Sequence, residues 1–154
     1  SKFCYRIGLW DVSQITDFSE VFNARRNHKL KTFNEDLSGW DVSNGMNFSS
    51  MFYECYAFNG DVSSWNVSNG TNFSHMFYLC GSFNGDLASW DLANATDLSF
   101  MFQECTSFKG DVSSWDVSNA TNFSWMFYGC NSFNGNLSSW NVSNVTTFHS
   151  TFRR

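Results

Sequence analysis

The chain has 154 residues, 42% of them hydrophobic, a length that fills one core and excludes several independently packed domains. Its formal charge of -5 excludes a general nucleic-acid binder, which needs a basic face to collect phosphates. The charge is uneven: Lys2, Arg6, Arg25, Arg26, Lys29 and Lys31 outnumber three acids in residues 1–31, whereas the remainder sets eleven acids against three bases.

From the N-terminus, no stretch approaches the eighteen apolar residues of a membrane helix, and no signal-type apolar segment opens the chain. No transmembrane segment is therefore expected. Trp10 then opens the phrase WDVSQITDFSEVF, and Trp40, Trp65, Trp90, Trp115 and Trp140 open further copies at a period of 25 residues. The expected organisation is one domain over 1–154. It comprises a degenerate first coil (10–39) with a basic insert (23–32), regular coils at 40–64, 65–89, 90–114 and 115–139, and a partial coil at 140–154.

Inside one coil, Val62, Trp65 and Val67 end in the period-two alternation of a short strand. Phe73, Met76, Phe77 and Cys80 follow at i, i+3, i+4 and i+7, one face of a helix of about two turns. The next return, Phe83-Asn84-Gly85-Asp86, carries turn residues. Neither element is stable alone, so stacking must supply the partner for each. The expected fold class is an α/β repeat solenoid, leucine-rich-repeat-like, with one short parallel strand and one short helix per coil over about six coils.

The columns that every coil repeats describe scaffold. Cys55, Cys80, Cys105 and Cys130 share the core spacing and lack the tight pairing of zinc ligands, so they are expected as buried thiols, with a disulfide between coils the alternative. Two Asp and Asn columns, from Asp36 and from Asp11, are expected to accept backbone N–H groups in turns, with calcium between coils as the alternative. Ten N-x-[ST] sequons arise from the Asn and Ser of the repeat and sit too close together for all to carry glycans. His28, His75 and His149 occupy unrelated coil positions without a repeat-defined nucleophile or carboxylate, so no enzyme, metal or cofactor is expected.

The phrase W-[DN]-V-S-N-x-T-[ND]-F-S-x-M-F-x-x-C-x-x-F-N-G-D-[VL]-S-S resembles the bacterial surface-protein repeat of about 25 residues found in mycoplasma-type lipoproteins and in wall-anchored proteins of Gram-positive bacteria. More distantly it is similar to BspA-like leucine-rich repeats. The resemblance covers Trp10 to Phe152 and implies a cell-surface or extracellular protein, an adhesin for host protein or glycan among the roles. Two features depart from it: the family's T-N-M-S methionine column is mostly Phe here, and no lipobox or wall-sorting motif is present.

Function is expected where coils differ. The position before the helix Met reads Ser50, His75, Phe100, Trp125 and Ser150, and a helical wheel turns it toward solvent. Tyr53, Tyr78 and Tyr128 lie three residues on. Such an aromatic surface exceeds what solvation selects and suits a protein interface, the alternatives being rings that only cover one another, a glycan or a pigment-like ligand. Arg25, Arg26, Lys29 and Lys31 of the insert form a second candidate, suited to an acidic partner or an anionic membrane surface. The expected role is non-catalytic docking, with a partner also covering the last coil. A subunit of a larger, membrane-peripheral or organellar assembly, an adhesin, and ice binding through the Thr71 and Ser64 ladders are the alternatives.

Overall fold

The segment from Phe73 to Cys80 folds as two consecutive four-residue turns instead of a helix. Met76 N donates to Phe73 O at 3.2 Å and Cys80 N to Phe77 O at 2.9 Å, while His75 and Leu79 hold φ of +58° and +60°. A positive φ at the third position is the mark of a type II turn. The N–H groups between these closures leave the coil: those of Phe73, His75, Phe77 and Leu79 donate to the carbonyls of Asp97, Ser99, Met101 and Gln103, at 2.8–3.0 Å. Every other donor closes a turn, and every other one stitches a junction.

This arrangement comes from a computed structural model that describes residues 6–153; Cys4, which does not share the 25-residue spacing of the other four cysteines, lies outside the described residues. Among the described residues, helix is confined to two short 3-10 segments, η1 (Ile7–Leu9) and η2 (His28–Thr32). Parallel pairing is confined to single bridges, Asp17 to Asn47, Asn47 to Asn72, Asn72 to Asp97, Asp97 to Asn122 and Asn122 to Thr147. The leucine-rich-repeat-like α/β solenoid is thereby corrected: the coils stack, but without a regular strand or helix in each.

The expectation failed for a physical reason. Apolar residues at i, i+3, i+4 and i+7 trace one face of a helix, and they equally mark the inward corners of successive four-residue turns. A helix would bind its N–H groups four residues back, whereas turns leave half of them free to pair with the neighbouring coil. The strand at Val62, Trp65 and Val67 fails similarly, since Trp65 N turns back onto Val62 O at 3.2 Å and Gly70 N onto Val67 O at 2.8 Å.

Glu54 occupies the second left-handed position of its coil, φ +59°, where Gly129 stands two repeats beyond Leu79. A left-handed L-residue costs roughly 1–2 kcal/mol, partly offset in glycine by backbone entropy. Glu54→Gly is expected to leave stability unchanged or raise it by about 0.5–1 kcal/mol in urea unfolding. A helix at this place would instead lose roughly that amount.

Stacked columns fill the interior. Phe52, Phe77 and Phe102 lie nearly parallel at 5.5 and 5.7 Å, Trp65 and Trp90 at 6.5 Å, and Phe77 rests on Phe83 of its own coil at 4.1 Å. Side-chain donors run back to the preceding coil, against the forward bonds of Phe73, His75, Phe77 and Leu79. They lie alongside the backward backbone bonds of Thr71, Thr96 and Thr121 to Met46 O, Thr71 O and Thr96 O at 2.8–2.9 Å. Trp90 Nε1 reaches back to Val62 O at 3.0 Å, Asn94 Nδ2 to Ser68 O at 2.8 Å, and Cys105 Sγ to Phe77 O at 2.9 Å. Cys55, Cys80, Cys105 and Cys130 are free and buried, as core thiols should be.

The acidic columns serve as turn caps. Asp11, Asp41, Asp61, Asp111 and Asp116 each accept the backbone N–H of the Ser two residues on, at 2.9–3.0 Å. The same Ser hydroxyls and N–H groups hold these carboxyls below the ordinary value of 3.8. A carboxyl whose pKa is depressed on folding stabilises the fold above its unfolded value and stops doing so as pH falls through the folded one. The melting temperature is expected to fall most steeply below about pH 4, measured by circular dichroism, with a shallower loss beginning near pH 6.5, where unfolded His75 takes up a proton that the folded chain resists.

The coil register holds through Ala24, whose N–H donates to Tyr53 O at 2.8 Å, and resumes at Phe33, stacked on Phe58 at 6.0 Å. Between them the insert makes η2, started by the Asn27 side chain accepting from Lys29 N.

Candidate functional site

The third position of the first turn forms an outer row: Glu20, Ser50, His75, Phe100, Trp125 and Ser150 all hold φ between +54° and +62°. Gly or Asn is the economical choice there, and bulky side chains are rare. Three successive coils nonetheless carry His, Phe and Trp.

Their rings lie on one another. His75 stacks on Phe100 at 4.3 Å and 7°, and Phe100 on Trp125 at 6.0 Å and 6°. The adjoining row reads Asn23, Tyr53, Tyr78, Gln103 and Tyr128. Tyr53 stacks on Tyr78 at 4.4 Å, and Tyr128 meets Trp125 at 4.9 Å. All six predicted aromatics are half-buried, so the rings shield one another while their outer faces remain open. The helical wheel had the outward sense right for a different reason, the turn geometry.

Desolvation within this wall pushes the His75 pKa down, against the pull of Asp97, so the ring is neutral at pH 7. Burial likewise pushes Tyr78 up. Gln103 Oε1 is buried without a hydrogen-bond partner in the same wall.

The structure joins half of the basic insert to this row and separates the other half. Arg25 and Arg26 line a groove of about 560 Å³ together with Glu20, Asn23, Ser50, Tyr53 and His75. Arg26 is ion-paired with Glu20. Arg25 is fixed at its backbone, where its N–H donates to Asn23 Oδ1 at 2.9 Å, and among the described residues its guanidinium makes no ion pair. Lys29 and Lys31 do not line the groove; Lys29 lies in η2, and the Lys31 ammonium sits 5.4 Å from the Tyr56 ring centre. Glu20 and Asn23 were missed as site residues. Carrying the repeat register back across the five-residue insert places them in the Ser50 and Tyr53 columns, which is the signal that could have found them.

Among the described residues no three His, Cys, Asp or Glu side chains are grouped to hold a metal ion, and no helix is long and apolar enough to cross a membrane.

A family model described as Mycoplasma protein of unknown function, DUF285, matches residues 1–112 and again 71–154. The overlap of the two matches reflects the internal repeat. Neither the curated proteins nor the solved structures contain a match to the chain. The likeness to mycoplasma-type repeats is supported, whereas the relation to BspA-like leucine-rich repeats gains no support here and loses its structural basis with the missing strands and helices. The chain belongs to the DUF285 family of Mycoplasma proteins of unknown function.

Proposed function

We propose that the chain is a non-catalytic docking module which presents its outer aromatic row, and the arginine groove at one end of it, to a protein partner. The observation that carries this reading is the placing of His75, Phe100 and Trp125 at left-handed positions where smaller residues cost less. Strained positions persist where the surrounding structure holds them and tend to cluster at functional sites. An aromatic wall with open outer faces is what interface cores select, and polar groups at its margin suit a rim. Likeness to mycoplasma-type surface repeats supports a location at the cell surface.

The test replaces Phe100 and Trp125 with Ser in one chain. Neither ring belongs to the buried core, so the double variant is expected to keep its far-ultraviolet circular dichroism and a cooperative melting transition. Co-isolation of a partner with the native chain from source cells, lost in the variant, supports the reading; undiminished co-isolation overturns it.

A further inference from the structure

The groove and the aromatic row form one continuous surface. Tyr53 and His75 line the groove, their rings 6.0 Å apart, and His75 passes directly into the stack with Phe100. A ligand held in the groove is therefore one stacking step from Phe100 and two from Trp125, at 4.3 and 6.0 Å.

Charge decides what the groove prefers. Of its two guanidiniums, Arg26 is matched by Glu20, which leaves Arg25 as the uncompensated one. His75 adds no positive charge, being stacked and desolvated. Elsewhere the chain presents columns of Asp, each capping its own turn, and the acids outnumber the bases beyond residue 31 by eleven to three. An acidic segment is repelled along most of the coil stack and attracted at the Arg25 end of the row.

We infer that the partner contributes an extended acidic peptide segment, one carboxylate of which pairs with Arg25 in the groove while a large apolar side chain about four residues further on lies over Phe100. The spacing follows from strand geometry: side chains on one face of an extended peptide recur every two residues, roughly 6.6–6.8 Å. Arg25 belongs to the first coil and Phe100 to the fourth, three coil spacings of roughly 4.8 Å each, so about four residues carry the peptide from Arg25 to Phe100 and about six carry it to Trp125. Guanidinium and carboxylate supply a planar, charge-assisted pair, and the rings supply desolvated area. The inference rests on the docking reading above and adds the chemistry of the docked segment.

The probe is a fluorescein-labelled peptide in a Gly-Ser background with one Glu and with Phe four and six residues after it. Companion peptides carry Gln for the Glu, or Ser for both Phe. Anisotropy at low salt is expected to show the Glu peptide binding about three- to tenfold more tightly than the Gln peptide. Arg25→Ala is expected to abolish that preference, and high salt to reduce it. Arg25 is exposed, so the variant folds, which circular dichroism checks. Phe100→Ser with Trp125→Ser should remove the advantage of the Phe peptide and keep the preference for Glu.

Equal binding of the Glu and Gln peptides, or a preference that survives Arg25→Ala, overturns the inference. If the Phe peptide still outbinds the Ser peptide in that case, the aromatic row remains a docking surface and only the acidic segment is refuted. Loss of both preferences refutes the row as well. Arg25-dependent binding to vesicles of phosphatidylcholine and phosphatidylserine without binding of the Glu peptide overturns the peptide in favour of an anionic membrane surface.

Discussion

Phe77→Ala is expected to lower the unfolding free energy by about 3–5 kcal/mol, the usual cost of emptying a buried phenyl site. Phe77 is fully buried and lies between Phe52 and Phe102 with Phe83 against its face and Trp90 at 6.2 Å. Phe52 and Phe102 are pinned to the next coil by bonds to Met76 O and Met126 O, and Phe83 and Trp90 close turns onto Cys80 O and Leu87 O, so the cavity cannot close by a local shift. Phe152→Ala makes the contrast. That ring stacks on Phe127 at 5.9 Å but is 58% exposed, and its removal should cost less than about 1.5 kcal/mol. Urea unfolding of both variants checks the pair. Equal losses would mean that the stack does not transmit packing from coil to coil.

The four thiols of the core column should be nearly inert to iodoacetamide in the folded protein and react at once when it is unfolded. Burial pushes Cys55 and Cys130 from 9.0 up to about 12, and it pushes the fully enclosed Cys80 and Cys105 well above 9.0. Three units remove roughly a thousandfold of the reactive thiolate at pH 8, and burial removes access besides. Labelling must then pass through opening of the stack, and its rate reports the opening free energy. Cys130 lines a small pit of about 80 Å³ with Phe127, Phe133 and Phe152, so it should label first. The sign in alkali follows. A thiol whose pKa is raised by folding supports the fold below its unfolded value of 9.0, and that support is lost as pH rises toward the folded value. Mass spectrometry of time points, coil by coil, measures both.

The repeat length, the buried columns and the outer aromatic row were legible in the sequence because each depends on which residue types recur at 25. Trp65, Phe77 and Cys80 are inward wherever the intervening backbone goes. The backbone itself was not legible. The spacing of Phe73, Met76, Phe77 and Cys80 fits a helix and a pair of turns equally, and the choice depends on where the N–H groups of Phe73, His75, Phe77 and Leu79 find acceptors. Those acceptors lie a whole coil away, at Asp97, Ser99, Met101 and Gln103, beyond the reach of any local pattern. The left-handed residues were hidden for the same reason, since His, Leu, Phe and Trp give no hint of positive φ. The groove was half visible. Arg25 and Arg26 stood out as charges, but only the folded register brings them to Tyr53 and His75 and leaves Lys29 and Lys31 aside.

The forward backbone donors of the turn pair, and the backward donors from the Thr71, Thr96 and Thr121 backbone and from Trp, Asn and Cys side chains, make successive junctions chemically alike. A coil removed or duplicated as a unit meets the same partners on both sides, so recombination between copies can change the length of the stack without redesigning its interior. The outer row is the part such shuffling leaves free. Ser50, His75, Phe100 and Trp125 occupy one backbone setting in interchangeable coils, so exchanging coils rewrites the order of side chains along the outer row while the fold stays the same. On the docking role proposed above, that amounts to a supply of recognition variants drawn from a single scaffold.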